Sequence, residues 1–156
     1  MLTKLLICFL LVHNYFSIFP QNIENGITFE VLSAEVVERI EGANSNLTWE
    51  DNENYKAVIL KVKANCEANL ELYATDFLIS YYNEKQKTWD RSTCQGISNI
   101  VSTEDDDQFF IVGEYAHFTA KKGTRYFKIF FGIENNANKI NLLYAKSVIE
   151  DIVVKR

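Results

Sequence analysis

The sequence predicts an all-β protein folded as a two-sheet sandwich, and three observations lead there. The segment Tyr55–Cys66, YKAVILKVKANC, places Val58, Leu60, Val62, Ala64 and Cys66 on alternate positions, with Lys61, Lys63 and Asn65 on the other face. A period of two marks a strand with one buried face, because successive side chains point to opposite sides of a sheet. Aromatic residues make up 13% of the chain, and with the many Val and Ile they favour strands over helices. Short alternating segments then recur between turn-forming clusters, which reads as about seven or eight strands stacked in two layers.

The N-terminus, MLTKLLICFLLVHNYFSIFPQN, has one basic residue, Lys4, before an apolar stretch from Leu5 to Val12. That is the pattern of a secretory signal peptide. His13, Asn14, Tyr15 and Ser17 interrupt the run well short of the roughly 20 residues needed to span a bilayer. Residues 1–20 are therefore expected to be removed, with the cut between Ser17 and Asn22. A single domain over 21–156 would then be secreted, periplasmic or held at the cell surface. Apolar residues continue past Cys8, which makes it a poor lipidation site.

Loss of Lys4 leaves 15 basic against 21 acidic residues, a net charge of −6. No basic cluster stands out along the chain, which argues against nucleic acid and anionic membrane surfaces as partners. Loss of Cys8 leaves Cys66 and Cys94. In an exported chain two cysteines read as one disulfide, worth roughly 3–4 kcal/mol for a loop of this length. Two unlinked buried thiols are the alternative reading, and two cysteines without a paired histidine make no zinc site.

Taken in order, Ile27–Ile40 is open to a helix or a strand. Phe29, Val31 and the β-branched residues favour a strand over 27–33, while Ala34–Arg39 has helical composition and reads as a continuation of the strand through a bulge or bend. Glu41–Asn54 is a polar loop rich in Gly, Asn and Asp, and it holds Asn46-Leu47-Thr48, an N-glycosylation acceptor if the host is eukaryotic. After the strand Tyr55–Cys66 comes Leu70–Tyr82. There Leu70 and Leu72 alternate in one parity and Phe77, Ile79 and Tyr81 in the other. A change of parity near Ala74–Asp76 predicts a bulge or a switch between sheets.

Asn83–Lys87 is a turn and Thr88–Cys94 a further strand. That path of up, down and up is expected to return Cys94 to the level of Cys66. Gln95–Asp107 reads as a loop, and Gln108–Thr119 as a strand with a bulge at Gly113. Thr124–Ile133 is a strand with Phe127, Ile129, Phe131 and Ile133 on one face. Ile140–Ala145 and Ile149–Val154 complete the domain.

The pair of segments YKAVILKVKAN and LELYATDFLI resembles the secreted immunoglobulin-like family typified by the immunoprotective extracellular antigen of mycobacteria. Asp76-Phe77-Leu78-Ile79 is similar to an Asp-Phe-x-Leu element of that family. Lys122-Gly123 before Phe127–Phe131 is similar to its Gly-containing turn and Phe-rich strand, and Leu142–Tyr144 with Ile149–Val154 to its last strands. The resemblance covers residues 27–154. It lacks the Pro-Gly usual in that turn, and residues 83–108 do not align. What it implies is an immunoglobulin-like two-sheet β-sandwich, export, and no catalytic residues to carry over.

The chemistry-bearing residues are few. His117 is the one histidine of the mature chain, and no Gly-x-Ser-x-Gly elbow accompanies it. Glu104–Asp107 is an acidic run whose Asp105, Asp106 and Asp107 are a calcium candidate, but it lacks the Gly-punctuated spacing of the known loop. No cofactor fingerprint is present. Trp49, Tyr81, Tyr82 and Trp89 lie at loops or strand ends, where aromatic side chains anchor protein partners or stack on sugars. The expected function is non-catalytic binding of an extracellular or envelope protein, with carbohydrate or small-ligand binding as the alternative.

Overall fold

The structure is a computed structural model that describes residues 21–23, 26–44 and 48–156. The expected signal peptide and Asn46 lie outside the described residues. The first strands are β1 (Gln21–Ile23), β2 (Ile27–Val37), β3 (Arg39–Glu41), β4 (Thr48–Glu50) and β5 (Tyr55–Cys66). Next come β6 (Leu70–Tyr73), β7 (Phe77–Asn83), β8 (Thr88–Thr93), β9 (Gly96–Ser98) and β10 (Phe110–Val112). The last are β11 (His117–Ala120), β12 (Gly123–Glu134), β13 (Lys139–Tyr144) and β14 (Ser147–Val153). Fourteen strands among the described residues replace the expected seven or eight, because several predicted segments are cut in two and short strands lie inside predicted loops.

Two sheets carry the fold. One runs β1-β2-β5-β12-β9-β10 and the other β14-β13-β7-β8. With β2 taken as strand A, these orders reproduce the A-B-E-D and G-F-C-C′ sheets of an immunoglobulin-like sandwich. Two ribbons are added, β6 with β11 and β3 with β4. Among the described residues no helix is long and apolar enough to cross a membrane.

Strand β5 is the middle of the larger sheet, paired antiparallel with β2 on one side and along its whole length with β12 on the other. Its inward row of Val58, Leu60, Val62, Ala64 and Cys66 is buried. Lys56 shares that parity, and the fold satisfies it: Nζ donates to the carbonyls of Asn135 (3.1 Å) and Ala137 (2.7 Å). Burial lowers the Lys56 pKa, helped by the charge of Arg156 and opposed by Asp51. Beyond Ser33 the expected interruption is a bend at Glu38 between β2 and β3, and a register shift that the sequence does not signal lies earlier, between Val31 and Ser33. The parity change at Ala74–Asp76 is a single 3₁₀ turn, and β6 and β7 on either side of it belong to different sheets.

The core between the sheets is dominated by aromatic rings. Phe29 on β2 meets Phe77 on β7 at 5.7 Å, Phe127 on β12 at 6.1 Å and Tyr144 on β13 at 4.8 Å, each edge to face. A second, smaller core lies on the outer face of the larger sheet. There the β3–β4 ribbon folds Ile40 and Trp49 over Ala57 and Phe130. Gly132 makes room for this cover, because a Cβ there would come within 3.2 Å of the Trp49 ring.

The predicted strand Gln108–Thr119 is not one strand. At Gly113, with φ +130°, the chain turns out of β10 in the larger sheet and into β11, which pairs with β6. The predicted loop Gln95–Asp107 contains β9, which pairs with both β12 and β10. A Cβ on Gly96 of β9 would lie 2.5 Å from Cε1 of Phe130 and 2.7 Å from the carbonyl oxygen of Ile111. The backbone oxygen has little freedom to move away. We expect Gly96→Ala to destabilise the fold by about 1–3 kcal/mol in urea unfolding. A change below about 0.5 kcal/mol would show that β9 and β10 separate without penalty.

The expected Cys66–Cys94 disulfide is corrected by the structure, in which both residues are free, buried thiols. Cys66 sits at the end of β5, opposite Gly123. Cys94 follows β8, its N–H bonded to the carbonyl of Phe77, and the next residue, Gln95, donates to the carbonyl of Phe130. Phe130 is seven positions along β12 from Gly123, or about 23 Å at strand rise. A disulfide needs Cα atoms within about 7 Å. The expected return path failed because β8 retraces β7 alone, leaving the length of β6 and the 3₁₀ turn unmatched.

Candidate binding surface

The hairpin β7–β8 forms one edge of the smaller sheet and presents two of the predicted aromatic residues together. Tyr82 and Trp89 are directly opposed in the ladder, so their side chains share the outer face. Their rings meet edge to face with centroids 5.8 Å apart. Trp89 is 65% exposed and Tyr82 36%. Arg91 and Thr93 continue the same outward row of β8.

The turn beneath this pair is held by a buried asparagine. Asn83 accepts from the backbone N–H groups of Lys85 and Gln86 through Oδ1, and donates through Nδ2 to Asp90 at 2.7 Å. Lys87, with φ +58°, closes the turn by donating its N–H to the carbonyl of Asn83 at 2.8 Å. Its ammonium pairs with Glu84 at 2.9 Å, which raises the Lys87 pKa. A turn fixed from inside leaves Trp89 on a rigid support rather than on a loose tip.

Tyr81 and Trp49 have other places. Tyr81 faces inward and is 4% exposed, with its phenol pKa raised by burial. Trp49 covers Gly132 in the smaller core. Of the four aromatic residues expected at a contact surface, the structure brings Tyr82 and Trp89 together and commits Tyr81 and Trp49 to packing.

A second group of exposed aromatic residues escaped the sequence reading. Tyr73 on β6 stacks on His117 on β11 at 4.8 Å and 25°, and Tyr115 and Phe109 are largely exposed beside this ribbon. Period-two reading of Leu70–Tyr73 alone would have turned Tyr73 outward, but the partner strand was hidden by the Gly113 break. His117 also places Nδ1 3.2 Å from the carbonyl of Tyr115. A carbonyl only accepts, so the contact is a hydrogen bond in the tautomer that carries its proton on Nδ1.

Asp105, Asp106 and Asp107 are not gathered around a cation position. Among the described residues no three His, Cys, Asp or Glu side chains are grouped to hold an ion. Asp106 instead accepts from the N–H of Thr103 at 3.2 Å, and its pKa is lowered first by hydrogen bonding to the Thr103 side chain and then by that backbone contact. Both thiols are raised by burial, Cys94 to about 12, which leaves little thiolate at neutral pH.

No protein-family model matches the sequence, and no curated protein matches it. Among solved structures the chain is similar to an uncharacterized β-sandwich protein from Clostridium difficile 630. The two are 9% identical, with a TM-score of 0.49, over 81% of this chain and 85% of that one.

Proposed function

We propose that this chain is an exported, non-catalytic β-sandwich that binds a protein partner outside the cell through the outer face of β7–β8. The observation that carries the reading is the opposed pair Tyr82–Trp89 on the hairpin at the sheet edge, with Trp89, on the edge strand itself, 65% exposed. Leaving a large aromatic ring in water forgoes the favourable burial that such a side chain gains in a core. Trp and Tyr are also the residues most often found to dominate binding energy at protein interfaces. Non-catalytic action is supported by the residues themselves. The thiols are buried, and the His117 ring is engaged by Tyr73 and by the Tyr115 carbonyl.

The test is affinity capture from native surface extract with the wild-type chain and with Trp89→Ala. One specific protein should be retained by the wild type and lost by the variant, a loss of at least about 2 kcal/mol if Trp89 is the anchor. Equal capture by both chains would overturn the proposed surface. Retention of glycans instead of protein, abolished by the same substitution, would replace the protein partner with a carbohydrate.

A further inference from the structure

A different feature lies on the outer face of the larger sheet, away from β7–β8. Lys61 on β5 and Lys128 on β12 are directly opposed in the ladder and both are half-buried. Like charges at directly opposed positions disfavour the pairing of two strands. Among the described residues neither ammonium has a carboxylate within the 4.0 Å of an ion pair. Lys63, two residues along β5 on the same face, does have one, Glu30 at 3.5 Å.

The two lysines open onto a recess of about 50 Å³, lined also by Leu32, Glu104, Gln108 and Tyr126. At about 10–15 Å³ for each water-sized position, it has room for roughly four atoms. Gln108 contributes an Oε1 shielded from solvent and without a hydrogen-bond partner. Turning that amide about its last bond would put Nε2–H in the same place, a neutral donor beside two cationic ones.

We propose that this recess is a site for an oxyanion group, a carboxylate or a tetrahedral phosphate or sulfate, held between Lys61 and Lys128 with Gln108 as third donor. A negative group there answers three features at once: the opposed charges, the orphaned amide and the space between them. Among the described residues Glu104 is the one acid lining the recess, so its charge competes with the incoming anion. The chain is acidic overall, and the site is local; it exists because the β5–β12 register brings together lysines 67 residues apart in sequence.

The experiment is a backbone NMR titration of the purified chain at low ionic strength with inorganic phosphate, sulfate and acetate, each against chloride at matched ionic strength. Saturable shifts should centre on Lys61, Gln108, Tyr126 and Lys128. Response to phosphate and sulfate alone would name a tetrahedral group, and response to acetate a carboxylate. Affinity should fall by about tenfold in Lys128→Gln, the loss expected for one charged hydrogen bond. It should rise in Glu104→Gln, a substitution that leaves both lysines in place. Unchanged thermal melting of the two variants would show that the fold is intact. Shifts that follow ionic strength alone, or that persist undiminished in Lys128→Gln, would overturn the site.

Discussion

Replacing Phe29 by Ala is expected to remove about 3–5 kcal/mol of stability, the range for deleting a buried aromatic ring. Phe29 is 1% exposed and touches rings from both sheets, Phe127 on its own side and Phe77 and Tyr144 on the other. The cavity left by truncation would open between the sheets, where strands from both sides must shift to fill it. Urea unfolding measures the loss. Trp89→Ala is the companion measurement and should cost less than about 1 kcal/mol, because that ring lies mostly in solvent. A loss below about 1.5 kcal/mol for Phe29→Ala would mean that the sheets are held together elsewhere.

The second large effect is on pH. Cys94 is fully buried and its thiol is pushed up to about 12 from an ordinary 9.0. Above pH 9 the unfolded chain gives up this proton while the folded chain keeps it, so the folded state binds more protons and stability falls. The contribution of Cys94 is complete below about pH 9 and is lost as pH rises towards 12. It amounts to about 4 kcal/mol, at 1.36 kcal/mol for each unit. Tyr81, also raised by burial, adds to the decline, while Lys56, lowered by burial, opposes it.

Comparing wild type with Cys94→Ala across the same pH series isolates the thiol. The wild-type unfolding midpoint in urea should drop more steeply between about pH 9 and about pH 11. Parallel curves for the two chains would show that the thiolate finds solvation in the fold.

What could be read from the sequence was local. The alternation in Tyr55–Cys66 named the buried row of β5 residue by residue, and the parity change before Phe77 located a real switch of sheet, from the β6–β11 ribbon to the smaller sheet. Both depend on a side-chain period that any strand must obey. What was missed depends on partners far along the chain. Cys66 and Cys94 come out level only when strand lengths are taken without the strand pairing. Trp49 looked like a free loop aromatic because its seat, Gly132, is distant in sequence.

Gly113 stands out in the sequence, but whether such a glycine bulges a strand or ends it depends on which strand waits on the other side. Tyr82 and Trp89 were the legible part of the candidate surface, since a short hairpin turn opposes residues close in sequence. The lysine pair could not be seen at all, because its two members meet only in the finished ladder.

That same ladder governs the order of assembly. Strands β5 and β12 pair from Cys66 with Gly123 to Tyr55 with Glu134, so the contacts that make the centre of the sheet join positions 57 to 79 residues apart. The loop entropy of such closures opposes folding before the core can repay it, which places chains of this topology in the range of milliseconds to seconds. Until β12 arrives, β5 presents a bare edge with an apolar face. The slow step of folding is thus also the interval in which this chain is most exposed to joining another copy of itself.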